Sequence, residues 1–160
     1  MVENTRSRYP LACRLLRLIA SVLAGGVIAQ AFSCLAFYYL IYDSQAAGML
    51  AHLLIQHLSY YFLGGTFVIL SLSNILIKRG LSSLAEIRIP SLALVLLTTA
   101  TSFLLIPRMD YLRETALLDG MPIMLSSFAN YFLILNSLTL FFLIAQIIFS
   151  TLIAWRLSKH

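Results

Sequence analysis

Charged side chains are scarce in this sequence. Of its 160 residues only 11% are Asp, Glu, Lys or Arg, whereas 61% are hydrophobic and the mean hydropathy is +0.92. A soluble domain usually has about a quarter of its residues charged. So few polar side chains do not cover a water-soluble globule. The composition therefore excludes that class and indicates an integral membrane protein.

Cysteine is almost absent as well. The two cysteines, Cys13 and Cys34, form neither a C-x-x-C pair nor a metal-ligand spacing. Membrane enzymes that exchange disulfides need reactive cysteine pairs, so we exclude that class. We expect Cys13 and Cys34 to be small thiols that are buried or lie at an interface.

Four stretches of the chain contain no charged residue at all. A helix needs roughly 20 apolar residues to cross the hydrocarbon core of a membrane, and each stretch can hold one such helix. They are residues 18–42, 44–77, 89–107 and 120–155. The pattern predicts an all-α fold, a four-helix transmembrane bundle that forms one domain over residues 1–160. The predicted spans are residues 18–42, 51–77, 89–107 and 128–155.

Lysine and arginine are distributed unevenly between the predicted loops. Nine of them lie on the side of the two chain ends, and only Arg108 and Arg113 lie on the other side. Because cytoplasmic loops carry the excess of Lys and Arg, we expect both the N- and the C-terminus to be cytoplasmic. Topology thus accounts for the net charge of +5, and we expect the lipid bilayer, and no nucleic acid, as partner.

Charges of both signs concentrate in one stretch, LLIPRMDYLRETALLDG at residues 104–120. Pro107 is expected to stop or kink the third helix, which makes residues 108–119 a short amphipathic segment on the outer surface. In a helix Asp110 and Arg113 are three residues apart and can pair. The stretch is either a site for an anion or a partner, or a solvated helix end. Its candidate functional positions are Arg108, Asp110, Arg113 and Glu114.

No Asp, Glu, Lys or Arg lies inside the predicted spans. Proton-coupled exporters usually keep a carboxylate there, because an intramembrane ionisable group senses and moves the proton, so this class is disfavoured. In the fourth span, Asn136, Thr139, Gln146 and Ser150 recur on one helical face. This polar seam either lines a path for a small molecule or supplies hydrogen bonds between helices. Asn136 and Gln146 are its candidate functional positions.

Two histidines lie in the second span. His52 and His57 are five residues apart, which is about 140° around a helix, so they do not ligate one metal on a regular helix. His52 shares a face with Gln56, and His57 shares a face with Tyr61. We expect interfacial hydrogen bonds from these side chains, keep His52, Gln56 and His57 as candidate functional positions, and predict no metal and no other cofactor.

Two segments resemble a known family. IPRMDYLRETA resembles the P-R-x-x-x-L-R signature, and AGMLAHLLIQHLSYYFLGG resembles the second-helix pattern, of a bacterial four-span membrane family of unknown function. That family is related to eukaryotic transmembrane protein 205. The likeness extends loosely over residues 18–155, and Asn136 corresponds to an asparagine of the family pattern. Ala129 and Phe132 stand where the family usually has histidine and serine, and His52 and Gln56 stand where it has basic residues.

The resemblance implies a multi-pass protein of a bacterial inner membrane, without implying an activity. The eukaryotic relatives are associated with resistance to platinum drugs, which suggests transport or trafficking. Because the sequence offers no nucleophile–base pair, we expect a non-enzymatic protein that acts as a homo-oligomer or as an accessory subunit of a membrane complex. A small-molecule or ion carrier that uses the polar seam is the first alternative. A membrane-embedded redox or enzyme subunit with functional His52 and His57 is the second.

Overall fold

The computed structural model describes residues 10–159, and these form helices without a β-strand. The α-helices are α1 (Pro10–Leu40), α2 (Ser44–Lys78), α3 (Arg88–Thr99), α4 (Ile106–Leu118) and α5 (Ala129–Lys159). Two 3-10 helices, Ser82–Ile87 and Ile123–Leu125, and a π-helical segment, Ala100–Leu105, complete the described chain. Four helical stretches are long and apolar enough to cross a membrane, namely Leu11–Leu40, Ser44–Lys78, Ser82–Leu118 and Ala129–Lys159. The predicted all-α fold with four spanning helices is confirmed.

The four long helices form an up-and-down bundle. α1 packs against α2 and α5, and α3 packs against the same two helices, so α1 and α3 lie at opposite corners. We call the end of the bundle where α1 begins and α5 ends the terminal end, and the opposite end the distal end. One apolar cluster, which includes Leu16, Leu76 and Leu157, lies at the terminal end. A second cluster, which includes Met109 and Phe132, joins α4 to α5 near the distal end.

Capping residues define where α2 begins and ends. The side chain of Asp43 accepts a hydrogen bond from the backbone N–H of Gln45 at 2.9 Å, which satisfies a free donor of the first turn. At the other end Gly80 has a φ of 104°, a conformation that favours glycine. The N–H of Leu81 then donates to the carbonyl of Leu76 at 3.1 Å. The Asp43 cap explains why α2 begins at Ser44 instead of at residue 51.

The third spanning helix does not end at Pro107. In an α-helix a proline ring meets the carbonyl four residues earlier. Here Pro107 follows the π-helical segment, in which the N–H of Ile106 donates to the carbonyl of Thr101, five residues back. This wider turn relieves the clash, and the helix continues to Leu118. Residues 108–118 of the predicted short amphipathic segment are therefore the last turns of the third long helical stretch.

The other helices also extend beyond the predicted spans. α1 begins at Pro10 instead of residue 18, and α5 ends at Lys159 instead of residue 155. The predicted limits are set by the nearest charged side chains. Charged side chains indicate where the membrane begins and ends, and a helix can extend beyond that limit. A helix continues past those residues for as long as its backbone hydrogen bonds continue.

Candidate functional site

Three ionisable side chains meet near the distal end of the bundle, between α2 and α4. Nδ1 of His52 lies 2.7 Å from Oδ1 of Asp110, and Nη1 of Arg113 donates to the same oxygen at 3.3 Å. The His52 and Arg113 side chains are each 5% exposed, whereas the Asp110 side chain is 37% exposed. We call these three residues the ionisable cluster. Its histidine and arginine are buried inside the bundle, and its carboxylate is partly exposed at the surface.

The helical positions of these residues explain why they meet. Asp110 and Arg113 are three residues apart on α4 and point to one face, and their predicted ion pair is confirmed. His52 lies on the buried stripe of α2, with Ala51 and Ile55. An ionised carboxylate only accepts hydrogen bonds, so Nδ1 of His52 carries the proton that it shares with Asp110. The cluster thus joins two spanning helices whose polar residues are far apart in sequence.

The Arg113 guanidinium reaches the other helices of the bundle. Its central carbon lies 5.5 Å from the centroid of the Phe132 ring on α5, a cation–π distance. A Cβ atom added at Gly48 would lie 2.9 Å from Nη2 of Arg113 and 3.2 Å from the hydroxyl of Tyr38. Gly48 therefore makes room for the guanidinium. Within residues 10–159, Nε of Arg113 has no hydrogen-bond partner, so this buried cation has a donor to spare.

Arg108 and Glu114 do not join the cluster. The central carbon of Arg108 lies 5.5 Å from the ring of Tyr111 and 5.8 Å from that of Tyr131. Arg108 and Glu114 are both exposed. Of the four candidate positions in the charged stretch, the structure brings together Asp110 and Arg113, and it leaves the other two at the surface.

The predicted polar seam of α5 is divided between two environments. Thr139, Gln146 and Ser150 are buried, but Asn136 is exposed, because it lies at the edge of the arc that the four positions span. The hydroxyls of Thr139 and Ser150 donate to carbonyls of their own helix. Nε2 of Gln146 donates to the hydroxyl of Thr101 at 3.2 Å and so connects α5 to the π-helical segment. Asn136 is therefore the exposed edge of the seam, and the other three positions lie inside the bundle.

Further polar atoms lie inside the bundle, on the terminal side of the ionisable cluster. Thr98 and Ser102 flank Thr101 within one helical turn, are buried, and have hydroxyls without a hydrogen-bond partner in the described part of the chain. Oε1 of Gln30, on α1, is buried and unpartnered in the same sense. Buried polar groups are usually hydrogen-bonded, so these three atoms have unused capacity to bond a polar group.

His57 and Gln56 lie apart from the cluster. His57 is exposed and its Nδ1 lies 2.9 Å from the carbonyl of Leu53. Gln56 is partly buried, and its backbone carbonyl accepts a hydrogen bond from Ser59 at 2.6 Å. In the range 10–159 no group of three or more His, Cys, Asp or Glu side chains is arranged to hold a metal ion. His52 and His57 therefore face different surroundings and do not form one site.

Sequence reasoning misses Tyr38, Gly48 and Phe132, which surround Arg113. Tyr38 lies in FYYLIY, a typical interfacial aromatic segment, and Gly48 is one of several small residues in the first turns of α2. Phe132 is apolar and gives no signal for a charged neighbour. Each takes its role from packing between helices, which a single sequence does not display.

The chain matches no protein-family model, no curated protein and no solved structure. The likeness to the family related to transmembrane protein 205 therefore stays a prediction, and it is based on the short segments quoted above.

Proposed function

We propose that this protein is a non-enzymatic multi-pass membrane protein that binds and carries a small anionic solute, with the ionisable cluster as its binding site. The buried Arg113 guanidinium, with its unpartnered Nε, is the observation that supports the proposal. An ionisable side chain is expensive inside a membrane bundle and is typical of a substrate or ion pathway. A buried cation with a spare donor fits an anion.

The exposure of Asp110 suggests how the anion enters. Asp110 is the carboxylate that pairs with Arg113, and it is 37% exposed, so a solute reaches the pair from the carboxylate side. An arginine binds a carboxylate or phosphate oxygen with several N–H groups, so an entering anion competes with Asp110 for the guanidinium. The Tyr38 hydroxyl lies close to the same guanidinium and is a further donor for the bound solute.

The unpartnered groups of Thr98, Ser102 and Gln30 support a route from the cluster toward the terminal end. A solute that leaves water needs polar partners along its way, because an unpaired polar group is costly in an apolar interior. Oε1 of Gln30 and the two hydroxyls are such partners, and all three side chains are buried. Two of these three groups, the hydroxyls of Thr98 and Ser102, belong to the third long helical stretch. The proposed route therefore follows that helix and not the polar seam of α5.

A carrier accounts for Arg113 better than a role in packing alone. The sequence favours packing because its predicted spans contain no charged residue, but Arg113 is a buried charge within the third long helical stretch. Action as a homo-oligomer or as an accessory subunit remains compatible with solute binding. We also propose that the protein lies in a bacterial inner membrane.

Flux into proteoliposomes tests the proposal. We expect saturable uptake of at least one of chloride, acetate and phosphate by the full-length protein. Hydrogen bonds to a charged group contribute about 1.5–3 kcal/mol, so Arg113→Gln should weaken the apparent affinity roughly ten- to hundredfold. Arg108→Gln is the matched control, because Arg108 is an exposed arginine of the same helix, and it should leave uptake unchanged.

Two results would contradict the carrier. One is uptake of all three anions no faster than into protein-free vesicles. The other is an equal loss of uptake for Arg113→Gln and Arg108→Gln, which would indicate a general effect of surface charge. Gln146→Leu and Asn136→Leu give a second matched pair, because Gln146 is buried and Asn136 is exposed. Only the change at Gln146 should slow uptake.

A further inference from the structure

The charges of the ionisable cluster balance while its carboxylate pairs with both neighbours. Nδ1 of His52 donates to Asp110 at 2.7 Å, and Nη1 of Arg113 donates to the same oxygen at 3.3 Å. A neutral imidazole, an ionised carboxylate and a guanidinium together have no net formal charge. The His52 and Arg113 side chains are each 5% exposed. An anion that binds Arg113 therefore brings an uncompensated negative charge to a buried place, which is costly.

The titratable groups around His52 come from α4 and α1. From α4, Asp110 and Arg113 face it. From α1, the Tyr38 hydroxyl lies close to the Arg113 guanidinium and Cys34 packs against the same part of α2, and phenol and thiol groups are ordinarily neutral at neutral pH. α5 contributes an aromatic ring. In the described part of the chain, these helices thus face His52 with one cation, Arg113, which is already paired with Asp110.

His52 is able to supply the missing positive charge. Because its Nδ1 carries the proton shared with Asp110, Nε2 of the neutral ring is an acceptor, and within residues 10–159 it makes no hydrogen bond. Histidine is the side chain that gains a proton most readily near neutral pH. Asp110 is 37% exposed, so water reaches the pair from the carboxylate side. The sequence disfavours proton coupling because its predicted spans lack a carboxylate, but Asp110 lies within the third long helical stretch.

On the basis of the anion carrier proposed above, we propose that its solute is a monovalent anion, carried together with a proton that His52 takes up. The anion replaces Asp110 on the Arg113 guanidinium, and a proton from water adds to Nε2 of His52. Asp110 then stays paired with the imidazolium through a charge-assisted hydrogen bond. A negative and a positive charge enter together, so the cluster has no net charge with or without its load. Release of both lets Asp110 return to Arg113.

The voltage dependence of uptake into proteoliposomes tests the coupling. Chloride and acetate are the probes, because each carries a single negative charge near neutral pH. Uptake of an anion alone builds up a voltage that opposes it, so valinomycin with potassium on both sides accelerates such uptake. For the unaltered protein we expect uptake that valinomycin does not accelerate, above the rate in protein-free vesicles. A pH-sensitive dye inside the vesicles should report about one proton for each anion, as the charge balance requires.

His52→Gln and His57→Gln are a matched pair, because both histidines lie on α2 and only His52 belongs to the cluster. Glutamine keeps an N–H donor for Asp110 but does not take up a proton. In His52→Gln, valinomycin should accelerate uptake and the acidification should be lost, whereas His57→Gln should behave like the unaltered protein.

Chloride binding to the purified proteins in detergent gives a second measurement. Uptake of a proton on binding lowers the affinity for chloride by up to about tenfold for each unit of rising pH. We expect this dependence for the unaltered protein and for His57→Gln, and we expect His52→Gln to remove it.

Four results would overturn the coupling and leave the anion carrier standing. They are uptake without acidification, uptake by the unaltered protein that valinomycin accelerates, an equal loss of coupling for His57→Gln, and uptake of phosphate with neither monovalent anion. Uptake of none of chloride, acetate and phosphate would instead contradict the carrier itself, and the coupling with it.

Discussion

Asp110 and Arg113 form one ion pair but differ in exposure, and the difference predicts unequal costs when either is removed. Asp110→Ala leaves a guanidinium that is 5% exposed without its carboxylate, which typically costs about 3–5 kcal/mol. Arg113→Met leaves a carboxylate that is 37% exposed and that water can solvate, while the methionine fills the volume. We expect this change to cost less than about 1.5 kcal/mol. Reversible unfolding in detergent measures both values.

Glu114→Ala is the matched control for these two variants. Glu114 is an acidic residue of the same helix, exposed and outside the cluster, and surface changes of this kind usually alter stability by at most about 0.5 kcal/mol. An equal loss of stability for Asp110→Ala and Arg113→Met would show that water solvates the Arg113 guanidinium as well as the Asp110 carboxylate. The site would then lack the buried cation on which anion binding depends.

The π-helical segment Ala100–Leu105 decides where α4 points its side chains. A π turn closes its hydrogen bond over one residue more than an α turn. Deleting Leu104, which is 67% exposed, should restore an α-helical turn and bring the Pro107 ring against the preceding carbonyl, at a cost of about 3 kcal/mol. The same deletion combined with Pro107→Ala should fall within about 1 kcal/mol of the unaltered protein. Thermal unfolding of both variants decides, and equal instability would mean that the segment has another cause.

The same element shows how far sequence reasoning extends. The four long helices follow from stretches without charge, and the Asp110–Arg113 pair follows from a spacing of three residues. The sequence does not predict that this pair faces the bundle interior. Proline usually ends or kinks a helix, and a π turn, which lets this helix continue, has no simple sequence pattern. The contact of His52 with Asp110 joins residues 58 positions apart. It depends on how two helices pack, which a single sequence does not reveal.

At the scale of the whole molecule, the two ends of the bundle differ in charge and in the presence of the ionisable cluster. His52, Asp110 and Arg113 lie near the distal end, and the charged side chains around them are mainly acidic. Arg113 is buried, which leaves Arg108 as an exposed arginine at this end. Within residues 10–159, the terminal side carries seven of the nine basic residues. If the terminal end is cytoplasmic, the cluster opens to the outside of the membrane, and the solute is taken from there.

Reporter fusions in a bacterial host test this orientation. Because Lys and Arg in short loops are retained in the cytoplasm, a fluorescent protein that folds only in the cytoplasm should be bright after His160. Alkaline phosphatase, active only outside the cytoplasm, should be active when inserted at Gly120, where the chain turns between α4 and α5 with a φ of 70°. Changing Lys78, Arg79 and Arg88 to Gln leaves six basic residues against two, so the orientation should persist. The opposite reporter pattern would place the cluster on the cytoplasmic side, and the proposed carrier would then bind its solute inside the cell.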